Sequence, residues 1–139
     1  MKTAVVYWSG TGNTEAMAGS VAEGVKSAGA EVSVFTAADF SADMVDQFDS
    51  IAFGCPSMGS EQLEDSEFEP MFNACEAKLS GKKVGLFGSY GWGDGEWMRN
   101  WEDTCKGDGA NLVCESVICN DAPDDDALEA CKKLGASLA

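Results

Sequence analysis

Near its N-terminus the chain reads Tyr7-Trp8-Ser9-Gly10-Thr11-Gly12-Asn13-Thr14, a loop of glycines, hydroxyls and one amide without Lys or Arg. The loop follows an apolar run at residues 3–7, and a continuous run of this kind predicts a strand covered on both faces. After the loop, Met17, Val21 and Val25 recur at four-residue spacing, which predicts a helix. A strand, a tight loop and a helix in this order form the first half of a βαβ unit.

The composition of this loop predicts a phosphate site. Backbone N–H groups, hydroxyls and the positive end of a helix dipole can hold a phosphate dianion without a cation. Two other phosphate loops are excluded. A Walker-type loop ends in Lys and Ser or Thr, where this chain has Asn13-Thr14, and a dinucleotide fingerprint needs a third glycine where this chain has Glu15. From the loop alone, an ordinary turn that caps a helix remains the alternative.

The chain length and the amino-acid composition favour one globular domain spanning residues 1–139. No run approaches the roughly 18 apolar residues of a membrane span, and no basic and apolar leader opens the chain, so we expect a cytoplasmic protein.

The six cysteines form no CxxC pair, which argues against zinc and iron–sulfur sites and favours buried free thiols. With no histidine, Ser-His-Asp and Cys-His catalysis are excluded. We expect a cofactor, rather than catalytic side chains or a metal, to carry any chemistry.

The net charge is −15, and no basic residue occurs between Lys26 and Lys78. Nucleic acid and anionic membranes are therefore disfavoured as partners. A basic protein surface, recruited by electrostatic steering, is the predicted partner. General solubility is the alternative explanation of the charge.

Strands and helices are predicted to alternate along the whole chain. Strands are expected at 31–35, 50–55, 83–89 and 112–119, and helices at 13–29, 41–46, 66–81, 95–106 and from 121 or 123 onward. Ser66 and Glu69 match a capping box at the start of one helix, whose buried face would include Phe68 and Phe72. This order indicates a doubly wound parallel sheet.

Ligands of such sheets bind beyond the carboxyl ends of the strands. Loops of unusual composition follow three strands there, at residues 9–14, 56–61 and 90–95. Met58 and Trp92, each beside a glycine, could enclose a flat ring between them. A phosphate cradle beside a clamp for a flat ring points to flavin mononucleotide, FMN.

Three segments in register, at residues 6–15, 54–61 and 84–95, resemble the short-chain flavodoxins of anaerobic bacteria. The resemblance runs from end to end. It implies an α/β fold of the flavodoxin-like type, in which a doubly wound sheet of five parallel strands in the order 2-1-3-4-5 carries helices on both faces.

The resemblance also implies a set of FMN contacts. The phosphate would lie against the first loop, Met58 and Trp92 would cover the two ring faces, the Gly59-Ser60 peptide would lie beside flavin N5, and Glu61 would bond N3–H. The implied cofactor-binding residues are Ser9, Gly10, Thr11, Gly12, Asn13, Thr14, Ser57, Met58, Gly59, Ser60, Glu61, Ser89, Tyr90, Gly91, Trp92 and Asn120.

By the same resemblance the chain would be a low-potential one-electron carrier rather than an enzyme. It would shuttle between semiquinone and hydroquinone and substitute for ferredoxin. Its transient partners would be redox proteins with basic surfaces, such as ferredoxin-type oxidoreductases and hydrogenase, and it would act as a monomer. The alternative is an FMN-dependent NAD(P)H:quinone oxidoreductase on the same fold, against which Trp92 over the ring and the lack of a nucleotide-reading Arg both argue. A signalling receiver domain would need acidic residues where this chain has Trp8-Ser9 and Cys55-Pro56.

Overall fold

The computed structural model describes residues 1–59 and 61–139, and its centre is a parallel sheet. The strands are β1 (Lys2–Tyr7), β2 (Glu31–Thr36), β3 (Ser50–Gly54), β4 (Lys83–Tyr90), β5 (Asn111–Leu112) and β6 (Val117–Asn120). They follow the order β2-β1-β3-β4-β5, and β6 also pairs with β4. The predicted fold class and strand order are confirmed.

The edge of the sheet differs from the sequence-based expectation of one strand over 112–119. Leu112 pairs with Val84, and Val117 pairs with Phe87. The edge therefore advances five residues, from 112 to 117, while β4 advances three, from 84 to 87. The two extra residues form a bulge that divides the strand into β5 and β6. An edge strand tolerates a bulge because only one side of its backbone is paired.

Helices cover both faces of the sheet. They are α1 (Asn13–Ser27), α2 (Ala42–Val45), α3 (Phe68–Cys75), α4 (Glu96–Gly107) and α5 (Asp125–Leu138). One core joins α2, α3 and α4 to side chains such as Val6 and Phe53, and the other joins α1 and α5 to Val5 and Phe87. Because adjacent strand residues point to opposite faces, the continuous apolar runs fill both cores.

Helices α1 and α5 approach each other through glycine. A Cβ added to Gly24 would overlap the carbonyl of Lys132, and one added to Gly135 would overlap the carbonyl of Val21. The backbones therefore lie closer than any side chain would permit. Gly29 follows α1 at φ 94°, which confirms it as the residue that ends this helix.

The start of α3 is not the predicted capping box of Ser66 and Glu69. Glu64 caps the helix instead: its carboxylate accepts backbone N–H groups of Ser66, Glu67 and Phe68 at 2.9, 2.8 and 2.8 Å. Burial raises the pKa of Glu64, but the hydrogen bonds from the Ser66 hydroxyl and the three backbone N–H groups outweigh it and lower the pKa to about 2. The prediction failed because Glu64 accepts both N–H groups that the capping box would use. Its carboxylate accepts the N–H of Ser66, and its backbone carbonyl accepts the N–H of Glu69 at 2.8 Å.

The last helix also starts later than predicted. It begins at Asp125, and the Asp124 carboxylate caps it by accepting the N–H of Ala127 at 2.8 Å. Asp121 and Pro123 instead belong to the turn that connects β6 to α5. Among residues 1–59 and 61–139, no helix combines the length and the apolar character needed to cross a bilayer.

Candidate functional site

Three loops meet at the carboxyl ends of β1, β3 and β4 and enclose a cavity of about 230 Å³. Parallel strands bring these ends to one edge of the sheet, so the three loops predicted from composition become neighbours. The cavity is lined by Trp8, Ser9, Gly10, Thr11, Asn13, Thr14, Pro56, Ser57, Met58, Ser89, Tyr90, Gly91 and Asp121.

The first loop leads directly into the N-terminus of α1. Gly12 is the residue before the helix and has φ 96°, a left-handed conformation that favours glycine. Its N–H donates to the Ser9 hydroxyl at 3.1 Å and closes the loop. Since Gly12 has no side chain to cap α1, the first-turn N–H groups are available to an anion.

Thr14 supplies a direct test of whether the loop fits a phosphate. The residue is 1% exposed, and its hydroxyl oxygen is buried without a hydrogen-bond partner among the described residues. A buried hydroxyl without a partner costs free energy, so it indicates that a group from outside the chain completes the site. Its position in the first turn of α1 places that group at the positive end of the helix.

The second loop connects β3 to α3 and turns back on itself. Met58 and Gln62 exchange backbone hydrogen bonds of 2.8 and 2.9 Å, which close the turn. Gly59 has φ 46° and has open space around it, and Met58 is 37% exposed at the cavity. Ser60, the other half of the implied Gly59-Ser60 peptide, lies outside the described residues.

Glu61 connects the second loop to the third. It has φ 53°, and its carboxylate accepts the backbone N–H of Glu96 at 3.2 Å, at the start of α4. Gly93 lies so close to this carboxylate that an added Cβ would overlap it. Glycine at this position therefore lets the two loops touch.

The third loop presents Trp92 to solvent, with 68% of its surface exposed. Its large flat ring, held between Gly91 and Gly93, is available to cover the ring of a ligand. The base of the loop is fixed, because the Ser89 hydroxyl donates to the carbonyl of Asp121 at 2.6 Å and Tyr90 packs on Trp97 at 5.6 Å between ring centroids.

The electrostatic surroundings of the cavity are negative. No Lys or Arg occurs at residues 9–14, 56–61 or 90–95. The nearby Arg99 is exposed and pairs with Asp94 at 3.0 Å. In the part of the chain that the structure describes, no three His, Cys, Asp or Glu side chains are grouped so as to hold a metal.

The six cysteines are free thiols. Cys55, Cys75, Cys105 and Cys131 are buried, as expected, whereas Cys114 and Cys119 are half-buried. Burial raises the pKa of Cys55 to about 12, so this thiol at the end of β3 stays protonated. Its role is structural: its sulfur accepts the N–H of Glu64 at 3.3 Å, and its carbonyl accepts the indole N–H of Trp97 at 3.2 Å.

Most of the predicted site residues are brought together, and some lie beside the cavity rather than in it. Gly12, Gly59, Glu61 and Trp92 belong to the same three loops without lining the cavity. Asn120 lines a separate groove between β6 and α5.

Three lining residues were not among the predicted FMN contacts: Trp8, Pro56 and Asp121. Asp121 directly follows Asn120 and has φ 56°, so the chain turns there and the later residue reaches the cavity. Pro123 indicates a turn in this segment, and this turn signal could have moved the predicted contact from Asn120 to Asp121.

The comparisons with known proteins agree with this geometry. The flavodoxin family model matches residues 5–135. The chain is 50% identical to the flavodoxin of Megasphaera elsdenii, covering 97% of this chain and 96% of that one. It is 45% identical to the flavodoxin of Clostridium beijerinckii, with 97% of each covered. The solution structure of the two-electron reduced M. elsdenii flavodoxin matches with a TM-score of 0.90 and 51% identity over 98% of this chain and 97% of that one.

A family match over nearly the whole chain, and relatives of about its own length, confirm the resemblance to short-chain flavodoxins. The cofactor of this family is FMN. The chain therefore belongs to the flavodoxin family, and it is an FMN-carrying electron-transfer protein rather than an enzyme.

Proposed function

We propose that the chain is a low-potential one-electron carrier that works between one-electron-reduced and fully reduced FMN and can take the place of a ferredoxin. The observation that carries the proposal is the cavity itself. It joins a helix N-terminus, where the Thr14 hydroxyl has no partner among residues 1–59 and 61–139, to loops that contain no Lys or Arg. Neutral donors suit a phosphate, and negative surroundings lower the potential of a bound redox group.

The phosphate of FMN is proposed to lie at the start of α1. The buried Thr14 hydroxyl, which lacks a partner among the described residues, gains an acceptor there. The other proposed phosphate contacts are the side chains of Ser9, Thr11 and Asn13 and the backbone N–H groups of Gly10 and Gly12. The Gly12 N–H would exchange its bond to the Ser9 hydroxyl for one to the phosphate.

The ring of FMN is proposed to lie between the second and third loops. Met58 and Trp92 would flank its faces, and their exposure of 37% and 68% would fall on binding. The proposed contacts to the ring and its polar edge are Ser57, Gly59, Ser60, Glu61, Ser89, Tyr90, Gly91 and Asn120. Bound FMN supplies the electron-accepting ring, and the loops orient it and limit its contact with water.

The charges around the site favour a low potential for the second electron. That electron adds negative charge in a place where Glu61 and Asp94 are nearby and the neighbouring Arg99 already has a carboxylate partner. Like charges in a partly buried site repel one another more strongly than in water. The solved M. elsdenii structure is of a two-electron reduced flavodoxin, which supports a capacity of two electrons.

The proposed partners are redox proteins with basic surfaces, such as ferredoxin-type oxidoreductases and hydrogenase, bound transiently in the cytoplasm by a single-domain monomer. The net charge of −15 supports electrostatic steering toward such surfaces.

The placement of the cofactor can be tested by comparing FMN with riboflavin, which lacks the phosphate. Binding to the apoprotein is measured by quenching of flavin fluorescence. Two charge-assisted hydrogen bonds are worth about 3 kcal/mol together, so riboflavin should bind more than about 100-fold more weakly. Equal affinities for the two ligands would show that the loop at residues 9–14 does not hold the phosphate.

A further inference from the structure

A second groove lies between α3 and α4, outside the cavity described above. It measures about 330 Å³ and reaches Glu61 at one end, so it opens beside the loops proposed to hold FMN. It is lined by Glu61, Gln62, Leu63, Glu69, Phe72, Asn73, Trp97, Asn100, Trp101 and Thr104.

The floor of this groove is aromatic and rigid. Phe72, Trp97 and Trp101 are each at most 2% exposed. The ring of Trp101 meets that of Phe72 edge-on, at 5.7 Å between centroids, and meets that of Phe68 in the same way at 5.4 Å. Flat, fixed rings favour an occupant with an alkyl stem or a planar cation.

Trp101 also carries an unused donor. Its indole nitrogen is buried and has no acceptor among the described residues. The other buried tryptophan of the groove, Trp97, donates to the carbonyl of Cys55 at 3.2 Å. A buried N–H without an acceptor is costly, so an occupant that brings a carbonyl oxygen within reach of Trp101 would be favoured.

The rim supplies acceptors for a cation. Glu61 and Glu69, with their carboxylates, and Asn73 and Asn100, with their side-chain amides, line the groove, and no Lys or Arg among the described residues lines it. In the part of the chain that the structure describes, the Glu69 carboxylate has no ion-pair partner, and Arg99 of α4 pairs with Asp94. The groove is therefore complementary to a positive side chain.

We propose that this groove receives an arginine side chain from a basic redox partner. The guanidinium would meet the Glu69 carboxylate, the alkyl stem would lie on the aromatic floor, and the main-chain carbonyl of the same arginine would accept the indole N–H of Trp101. The exposed side chains of Asn73 and Asn100 rotate aside to admit it. Arginine is preferred over lysine because its planar group both stacks on aromatic rings and bonds a carboxylate in two places. This inference rests on the proposed role as a carrier with basic partners.

The test is a titration of the oxidised FMN-loaded protein, labelled with ¹⁵N, with N-acetyl-arginine amide. The four tryptophans each give an indole N–H signal, and the variant Trp101→Phe identifies one of them. The Trp101 signal should move and saturate, while the signal of Trp8 stays in place. N-acetyl-lysine amide, with the same charge, should bind at least about fivefold more weakly.

Two variants that each remove one negative charge distinguish arginine binding in the groove from general electrostatic attraction to an acidic protein. Glu69→Gln should weaken arginine binding about tenfold. Glu129→Gln, on an exposed face of α5, should leave it unchanged. An unmoved Trp101 signal, equal binding of arginine and lysine, or equal effects of the two variants would each overturn the proposal.

The outcome is independent of the proposed redox behaviour, because it is read from binding in one oxidation state. If arginine does not bind in the groove, the proposed one-electron reduction of FMN is unaffected. A failure of one-electron transfer would leave arginine binding intact.

Discussion

The indole N–H of Trp8 donates to the carboxylate of Glu67 at 3.1 Å and joins the loop after β1 to the segment before α3. Gly10 lies over the same ring, since a Cβ added there would be 3.0 Å from Cη2 of Trp8. The Trp8 ring therefore packs against the proposed phosphate loop at Gly10, and Glu67 holds that ring in place.

Removing this link should loosen the phosphate loop. In Glu67→Ala the indole N–H of Trp8 loses its acceptor, and a hydrogen bond of this kind contributes about 1 kcal/mol. Because the loop must then be ordered by the cofactor, the affinity for FMN should fall about threefold to fivefold. The measurement is fluorescence titration of the apoprotein with FMN.

Glu67→Gln is the matched control, because its amide oxygen can still accept from Trp8. It should retain most of the affinity for FMN. If the Gln variant loses as much affinity as the Ala variant, the charge of Glu67 rather than its bond to Trp8 is what matters.

Thr14→Val distinguishes the effect of the Thr14 hydroxyl on the stability of the apoprotein from its effect on FMN binding. In the apoprotein the substitution removes a buried oxygen that has no partner among the described residues, so the free energy of unfolding should stay the same or rise by up to about 1 kcal/mol. The affinity for FMN should fall about tenfold, which corresponds to about 1.4 kcal/mol. Urea unfolding and FMN titration measure the two effects.

Thr14→Ser keeps the hydroxyl and should bind FMN nearly as well as the original protein. A loss of apoprotein stability in Thr14→Val, with FMN affinity unchanged, would show that the hydroxyl serves the fold and not the cofactor.

Glu64 should make the stability of the apoprotein depend on acid pH. Burial raises its pKa, but the hydrogen bonds to Ser66, Phe68 and Glu67 lower it to about 2, below its ordinary value of 4.5. A carboxylate whose pKa is lower in the folded state stabilises the fold above about pH 4.5 and loses this effect as the pH falls toward about 2. Glu64→Ala should therefore cost about 2 kcal/mol at about pH 7 and much less near about pH 2.

Ser66→Ala provides the comparison, since it removes only a donor to the Glu64 carboxylate. Its cost should be about 0.5 to 1 kcal/mol at neutral pH. Urea unfolding at several pH values between acid and neutral gives both numbers. Equal costs for the two variants would restore Ser66 as the cap of α3.

Two glycine substitutions should have opposite effects on stability. Gly135→Ala places a methyl group against the carbonyl of Val21, so α1 and α5 must separate, and the cost should be about 2 to 3 kcal/mol. Gly19→Ala lies on the open side of α1, where an added Cβ meets nothing within 4 Å, and should stabilise by about 0.5 to 1 kcal/mol. Thermal unfolding tests both, and a neutral Gly135→Ala would contradict the close helix contact.

Local chemistry makes much of this architecture predictable. Buried parallel strands read as continuous apolar runs, and the ends of such strands determine where the loops meet. Residues 9–14, 56–61 and 90–95 could therefore be placed at one edge of the sheet from the amino-acid sequence alone. The buried positions Met17, Val21 and Val25 followed from helical spacing in the same way.

The differences arise where tertiary contacts outweigh local pattern. A capping box at Ser66 and Glu69 is a sound local motif, yet Glu64 accepts both N–H groups that the box would use. The N–H of Ser66 donates to its carboxylate, and the N–H of Glu69 donates to its backbone carbonyl. The bulge after Leu112 has no strong signature of its own, since edge strands tolerate extra residues. Trp8 and Asp121 enter the cavity through turns whose backbone direction the sequence does not specify.

The central claim is that FMN bound in this cavity takes up its two electrons one at a time, the second at low potential. It is tested most directly by anaerobic titration of the FMN-loaded protein with dithionite, followed by visible absorbance against reference dyes of known potential. Two resolved one-electron steps, with the second well below the first, are the expected result. A single two-electron step would contradict the account and favour an NAD(P)H-dependent reductase instead.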